Sequence, residues 1–324
     1  MEFLFNVDVE KPIMSTGKRV AIVGSGPSGL SAAKELFKLG YEIHVYEKMP
    51  EAGGLLLFGI PDFRIDKDRV REMIRKLIDL GIVFYTNVNV GKDIPFEDLI
   101  KGYDAVLLAT GAWESRRLYI PGEDLDGVYY ALDYIIEYNL SKLGWIKNNT
   151  HKLHGHVSVI GGGLTAVDAC HIALQNKVDS ITLIYRRGKE NSPAGRRAIE
   201  NLEKSGVKVM EYTQPLEFIG EKGRVKGINA VKTMIVKQEN EDEIIIVPNS
   251  NHFIPADNIL IAAGLNRTFP KTSYNPCIEV LKEYKTNIDK VFVAGDALLG
   301  PSYIGLAIQS GKKAAMQIHE FLAK

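Results

Sequence analysis

The stretch from Val20 to Gly29, VAIVGSGPSG, constrains the fold more than any other part of the chain. An apolar run of strand length enters a glycine turn, and a helical pattern leaves it. The three glycines serve different ends. Gly24 makes the tight turn, Gly26 lets a backbone approach a pyrophosphate, and Gly29 lets helix and strand pack closely. The helix that starts at Pro27 offers free N–H groups and a partial positive charge to phosphates. The next strand, residues 43–46, ends at Glu47, about 18 residues beyond the turn, where a carboxylate accepts hydrogen bonds from a ribose diol. A lone glycine turn is a weak signal. Strand, helix and acid at these spacings read as a dinucleotide site, in preference to a purely structural turn.

A second unit repeats the pattern: strand 156–160, turn Gly161-Gly162-Gly163, helix 164–174 and strand 180–185. Its fingerprint, GxGxxA, ends at Ala166, which packs the helix slightly less closely. At the second strand's end, where Glu47 stands in the first unit, this unit has Arg186 and Arg187. A carboxylate suits a free ribose hydroxyl and repels a 2′-phosphate, whereas arginines pair with that phosphate in bidentate fashion. The first turn is therefore expected to hold a flavin dinucleotide, and the second to favour NADPH over NADH. A solvated basic strand end is the bland alternative. Arg196 and Arg197, in the next helix, read as surface charges.

The remaining segments fit around these two units. Residues 1–17 show no clear periodicity and read as an arm. The segment EAGGLLLFGIPDFR, residues 51–64, is loop-like, broken by Gly53, Gly54, Gly59 and Pro61. Its apolar residues need a surface to cover, and a flat flavin ring is one. Helix Lys67–Leu80 is amphipathic, apolar at Val70, Ile74, Leu77 and Ile78. Strands 83–85 and 103–109 follow, the latter running into Thr110-Gly111. IPGEDLDG, residues 120–127, reads as a crossover to a second domain with its boundary near 120–130, followed by helix 131–143. Beyond helix 194–204 the pattern turns to strands at 207–212, 216–220, 225–237 and 243–247, a meander with an acidic tip at Glu239 to Glu243. Strand 258–262 runs into Gly264. Strand 290–294 ends in Gly295-Asp296, and a helix spans 303–322. Asp296 falls at the carboxyl edge of the sheet, where it can bond a ribityl chain. The helix after it aims its positive end at the flavin's pyrimidine edge, where negative charge gathers on reduction. The alternative role for Asp296 is an N-terminal cap.

The expected fold is α/β, with two Rossmann-like dinucleotide-binding domains, the NADPH domain inserted into the FAD domain. Residues 18–125 and 265–324 form the FAD-binding domain and 126–264 the NAD(P)H-binding domain; at 324 residues the chain is too long for one ordinary core. Forty Lys and Arg balance forty Asp and Glu, so no overall field draws in nucleic acid or an anionic membrane. Apolar runs such as 105–109 fall far short of the roughly 18 to 20 residues that span a bilayer. The acidic N-terminus lacks the basic start of a signal peptide, so a cytoplasmic setting is expected. Cys170 and Cys277 cannot build a disulfide framework, a four-thiolate cluster or a CxxC pair, and read as buried small hydrophobes. The histidines, among them His44, His154, His156 and His171, follow no catalytic or metal-ligand pattern.

With these residues in view the chain resembles the two-dinucleotide flavoprotein reductases, and within them the small subunit of NADPH-dependent glutamate synthase and its relatives. The resemblance covers nearly everything from Gly17 onward. It rests on VAIVGSGPSGLSAA, AGGLLLFGIPDFRIDKDRV, LLATGAW followed by IPGEDLDGV, VIGGGLTAVDAC followed by YRRGKENSP, and VFVAGDALLGP followed by AIQSGKKAA. The GIPxFR loop and the YRR strand end together are far more specific than either turn. Position by position, the resemblance implies FAD at Gly24, Gly26, Pro27, Ser28, Gly29, Glu47, Lys48, Gly54, Leu55, Val90, Thr110, Gly111, Gly295, Asp296 and Ile304. It implies NADPH at Gly161, Gly162, Gly163, Leu164, Thr165, Ala166, Arg186, Arg187 and Gly264. It also implies hydride transfer from nicotinamide to flavin N5, with electrons leaving to a ferredoxin or an iron-sulfur partner subunit. Relatives usually carry a cysteine-rich N-terminal domain; residues 1–17 hold no cysteine, so any clusters are expected on another protein. Two other readings compete. A disulfide reductase related to thioredoxin reductase requires paired cysteines near the flavin, which the GG loop lacks. A subunit that binds dinucleotides for assembly or electron transfer, without turnover of its own, carries the same cofactor sites.

Overall fold

The structure, a computed structural model, describes residues 14–147, 151–237, 243–273, 278–282 and 284–324. The start of the N-terminal arm, most of the expected acidic tip and Cys277 lie outside the described residues. The chain divides into two compact units, residues 1–114 with 265–324, and residues 115–264.

The first unit is built on a five-stranded parallel sheet, in the order Val291–Val293, Ala105–Leu108, Arg19–Val23, Glu42–Tyr46, Val83–Tyr85. Its central strands read as near-continuous apolar runs because both faces are covered, and Val20, Ala21, Ile22 and all of Ala105–Leu108 are fully buried. Strand order reverses between Arg19–Val23 and Ala105–Leu108, which opens a crevice at their carboxyl ends. Helix Lys67–Leu80 starts where Asp66 accepts from the Asp68 and Arg69 N–H groups at 3.0 and 3.2 Å and ends at left-handed Gly81. It buries Val70, Met73, Ile74 and Leu77, each worth about 1.5–3 kcal/mol. Ile78, expected on that face, is instead 48% exposed, because Met73 completes the stripe. A helix at Phe96–Gly102 follows Pro95 where the sequence suggested only a connection. The loop 51–64 contains one helical turn, Leu55–Phe58. Helix Ile304–Leu322 packs closely on helix Pro27–Lys38: a side chain at Gly311 would strike the Ser28 carbonyl, and the Ser31 hydroxyl donates to the Ile308 carbonyl at 3.0 Å.

The second unit has a parallel sheet in the order Val128–Tyr130, Asn258–Ile261, His156–Ile160, Ser180–Ile184, Lys208–Met210. An antiparallel sheet adds Thr213–Glu221, Arg224–Val236, Glu243–Ile246 and His252–Pro255, with the long strand Arg224–Val236 pairing to the other three. Strands Val128–Tyr130 and His252–Pro255, of three and four residues, are too short to show a period in the sequence. The segment 115–125 packs with this unit. Buried Glu123 accepts from the Leu118 and Tyr119 N–H groups at 2.9 Å each and from the Tyr130 hydroxyl at 3.0 Å, and the Phe218 N–H donates to the Pro121 carbonyl at 2.8 Å. The PGED sequence is thus a turn pinned by its own glutamate.

Candidate functional site

In the first unit the expected residues gather at the carboxyl edge of the parallel sheet. Gly24 leaves its strand at φ +103°, a conformation that side chains rarely adopt, and a Cβ there would sit 2.9 Å from the Ala109 carbonyl carbon. A Cβ on Gly29 would press on the Gly24 carbonyl, so helix and turn meet as the spacing requires. Gly26 is different: a Cβ there meets nothing within 4 Å, so the turn opens onto free space beside the helix start. Gly54 packs against it, its Cβ position being 2.9 Å from Gly26 Cα, and Leu55 opens the short helix behind it. Ser28 follows Pro27 in the first helical turn; its hydroxyl is buried and finds no hydrogen-bond partner among the described residues. Open space over a glycine, free helical N–H groups and a spare hydroxyl are the donor set that a pyrophosphate satisfies.

Glu47 lies at the end of Glu42–Tyr46, only 3% exposed. Its Oε2 accepts from the Ser25 N–H at 3.0 Å and the Ser25 hydroxyl at 2.5 Å, and its Oε1 accepts from the Met49 N–H at 2.8 Å. A carboxylate has about four lone-pair sites, which leaves Oε1 a direction for a ribose hydroxyl. The Ser25 hydroxyl also accepts from the Gly53 N–H at 2.8 Å, so one side chain ties the turn, the acid and the GG loop together. Ser25 occupies a variable position of GxGxxG, so the fingerprint does not single it out.

The turn Thr110-Gly111 is held by Thr268, whose carbonyl accepts from the Thr110 hydroxyl, whose N–H donates to the Gly111 carbonyl at 3.0 Å, and whose hydroxyl accepts from the Trp113 N–H at 3.1 Å. Lys48 places its ammonium 3.9 Å from the centroid of the Trp113 ring. Gly295 approaches Ser28 so closely that its Cβ would lie 2.6 Å from Ser28 Cβ, and its N–H donates to the Ser310 hydroxyl at 2.9 Å. Asp296 is the first residue of the short helix Asp296–Leu299, with Gly295 at its N-cap. Its Oδ1 accepts from the Ser302 hydroxyl at 2.6 Å, and burial pushes its carboxyl above the usual range, an effect that the Ser302 bond partly offsets. Ile304 opens the long C-terminal helix. The Val90 side chain is 4% exposed within a core cluster with Val23 and Phe96.

In the second unit Gly161 turns at φ +141°, with a Cβ position 3.0 Å from the Ala262 carbonyl carbon. Gly163 caps helix Leu164–Gln175 and faces open space, as Gly26 does. Leu164 and Thr165 are half-buried in its first turn, and Ala166 is fully buried. Gly264 follows strand Asn258–Ile261 near Arg116, whose Cδ is 3.5 Å from the Gly264 Cβ position. Arg186 is exposed and Arg187 half-buried just past Ser180–Ile184. Neither guanidinium pairs with an acid among the described residues, whereas Arg196 is engaged by Glu200 at 2.7 Å. Arg197 is exposed on the same helix. The Ser192 hydroxyl donates to the Gly162 carbonyl at 2.6 Å, a contact that no sequence spacing signals.

Cys170 is fully buried; burial, with the nearby Asp168 charge, pushes its thiol up and keeps it a protonated hydrophobe. His44 sits between the Tyr103 hydroxyl at 2.6 Å and Glu42 at 3.0 Å, and His154 accepts from Arg224 at 2.6 Å. Among the described residues no group of three or more His, Cys, Asp or Glu side chains is placed to hold a metal ion, and no helix is long and apolar enough to cross a membrane.

The family profile described as pyridine nucleotide-disulphide oxidoreductase matches residues 18–317. The chain is 34% identical over 324 residues to the NADPH glutamate synthase small chain of Halomonas elongata, covering 95% of this chain and 68% of that one. It is 31% identical over 326 residues to the NADP(+)-dependent formate dehydrogenase subunit beta of Moorella thermoacetica, covering 97% of this chain but 45% of that one. Among solved structures, Mycobacterium tuberculosis FprA in complex with NADPH superposes with a TM-score of 0.82 at 20% identity, covering 94% of this chain and 85% of that chain. At that identity the likeness is one of fold.

Proposed function

The chain belongs to the pyridine nucleotide-disulphide oxidoreductase family, and from that membership we propose that it passes hydride from NADPH to FAD and then electrons to a ferredoxin or an iron-sulfur partner subunit. It is an NAD(P)H-dependent FAD oxidoreductase of the glutamate synthase small-chain type. The observation that carries the assignment of FAD to the first turn and NADPH to the second is the opposite charge at equivalent strand ends, Glu47 beside the first turn and Arg186-Arg187 beside the second.

Bound FAD would supply the redox chemistry. The chain's own residues bind and orient. Gly26, the helix start and the Ser28 hydroxyl are the proposed pyrophosphate cradle of the FAD domain, and Glu47 holds the adenosine ribose. Asp296, half-buried against Ser302, would bond the ribityl chain. The start of helix Ile304–Leu322 would offer its positive end to a flavin gaining negative charge. In the NADPH domain, Gly163 and the start of helix Leu164–Gln175 take the pyrophosphate, and Arg186 and Arg187 take the 2′-phosphate. No protein nucleophile is required, which fits a buried, protonated Cys170.

The relatives' names support a partner, since one is a small chain and another a subunit beta. A second reading follows: the chain is an electron-transfer subunit that turns over only inside a larger complex. A cytoplasmic setting suits either. Reduction of a ferredoxin by NADPH, catalysed by the purified chain, tests the first reading. Turnover that appears only when a co-purifying iron-sulfur subunit is added supports the second.

A further inference from the structure

We propose that Ser192 is a positioning residue for the pyrophosphate of NADPH, holding the Gly162–Gly163 peptide in its binding orientation; this rests on assigning the second glycine turn to NADPH. Three consecutive glycines, Gly161-Gly162-Gly163, form that turn. Without a Cβ at any of them, the peptide between Gly162 and Gly163 has no steric reason to keep one face toward the ligand. The first turn needs no such help. There the middle residue is Ser25, which has a side chain and is bonded through it to Glu47 at 2.5 Å.

At the second turn the restraint comes from outside. The Ser192 hydroxyl, 8% exposed, donates to the Gly162 carbonyl at 2.6 Å, and the Ala194 N–H donates to the same oxygen at 3.2 Å. A trans peptide points its C=O and N–H in opposite directions. Tying the Gly162 oxygen to Ser192 therefore aims the Gly163 N–H away from the strap, on a residue whose Cβ position has nothing within 4 Å of it. A flipped peptide would present a carbonyl oxygen to the phosphates and repel them. The strap that carries Ser192 is itself fixed: the Tyr185 ring lies against Gly162 while its hydroxyl donates to the Asn191 carbonyl at 2.9 Å, and the Lys189 N–H donates to Glu211 at 2.5 Å. Because this strap continues directly from Arg186 and Arg187, one segment sets both ends of the ligand's phosphate recognition.

The test compares Ser192→Ala and Ser192→Thr with wild type, each carrying FAD, by titration with NADP+ and with adenosine 2′-monophosphate, which has the 2′-phosphate but no pyrophosphate. Losing one buried hydrogen bond of ordinary strength corresponds to about a five- to tenfold weakening of NADP+. That weakening, with unchanged binding of adenosine 2′-monophosphate, a raised KM for NADPH, unchanged kcat and recovery in Ser192→Thr, is the expected result. Unaltered NADP+ affinity in Ser192→Ala overturns the inference, as does an equal loss for both ligands, which marks general damage to the unit. A wild-type protein that prefers NAD+ to NADP+ removes the assignment of the turn itself, a failure distinct from either.

Discussion

Removing Arg186 and Arg187 should convert an NADPH-selective protein into one nearly indifferent to the 2′-phosphate. Neither guanidinium is engaged by an acid among the described residues, so their loss breaks no internal ion pair there. Their backbones keep their own anchors: the Thr233 hydroxyl donates to the Arg186 carbonyl at 2.9 Å and the Tyr212 N–H to the Arg187 carbonyl at 3.3 Å. The effect therefore falls on the ligand. A charge-assisted hydrogen bond contributes about 1.5–3 kcal/mol, so half-buried Arg187 is assigned about 2 kcal/mol. Solvent screening reduces exposed Arg186 to about 1 kcal/mol. Together they come to about 3 kcal/mol, or roughly 100-fold at 1.4 kcal/mol per decade. Anaerobic flavin reduction, followed as kcat/KM for NADPH and for NADH, reads this directly. Arg187→Ala should lower the NADPH value by about 30-fold and Arg186→Ala by about fivefold, while the NADH value stays within about twofold. The reasoning is refuted if the double variant keeps the wild-type ratio of NADPH to NADH, or if the wild type itself shows no preference.

Two further perturbations probe the first unit. Lys67, 8% exposed, donates to the Leu56 and Leu57 carbonyls at 2.7 and 2.8 Å and to the Ile60 carbonyl, so Lys67→Met strands three acceptors beneath the loop that carries Gly54. The expected loss is about 3 kcal/mol, seen as a midpoint lowered by about 6–12 °C at about 2–4 °C per kcal/mol; a shift of under about 2 °C contradicts it. Glu97 accepts from the Ser273 hydroxyl and N–H at 2.7 Å each, bonds that hold its carboxyl down from 4.5 to about 2. A depressed carboxylate stabilises the fold above its unfolded value and loses that contribution as pH falls from about 4.5 toward about 2. The melting difference between wild type and Glu97→Gln should thus be present at neutral pH and shrink across that acid window; a pH-independent difference counts against the assignment.

The parts of the molecule that are legible in the sequence are local. Gly24 and Gly161 announce themselves through their own left-handed backbone, and Gly29 through the carbonyl of Gly24 five residues before it, while the reversal from Glu47 to Arg186-Arg187 needs only the ends of two strands. The clamps are not legible. Thr268 reaches Thr110 across 158 positions, Ser192 reaches Gly162 across 30, and Lys67 satisfies carbonyls 7 to 11 residues before it. No period or propensity encodes such contacts. Ile78 and Val90 show the same limit from the other side. Spacing places Ile78 on the buried stripe, but Met73 fills it. Resemblance places Val90 at a cofactor without showing that its side chain is buried in the core, 4% exposed.

Mixing the purified, FAD-loaded protein with NADPH under anaerobic conditions, while following flavin absorbance, tests the two-cofactor account most directly. The account predicts that one equivalent of NADPH bleaches the flavin and that NADH does so far more slowly. A flavin that stays oxidised in excess NADPH would contradict it.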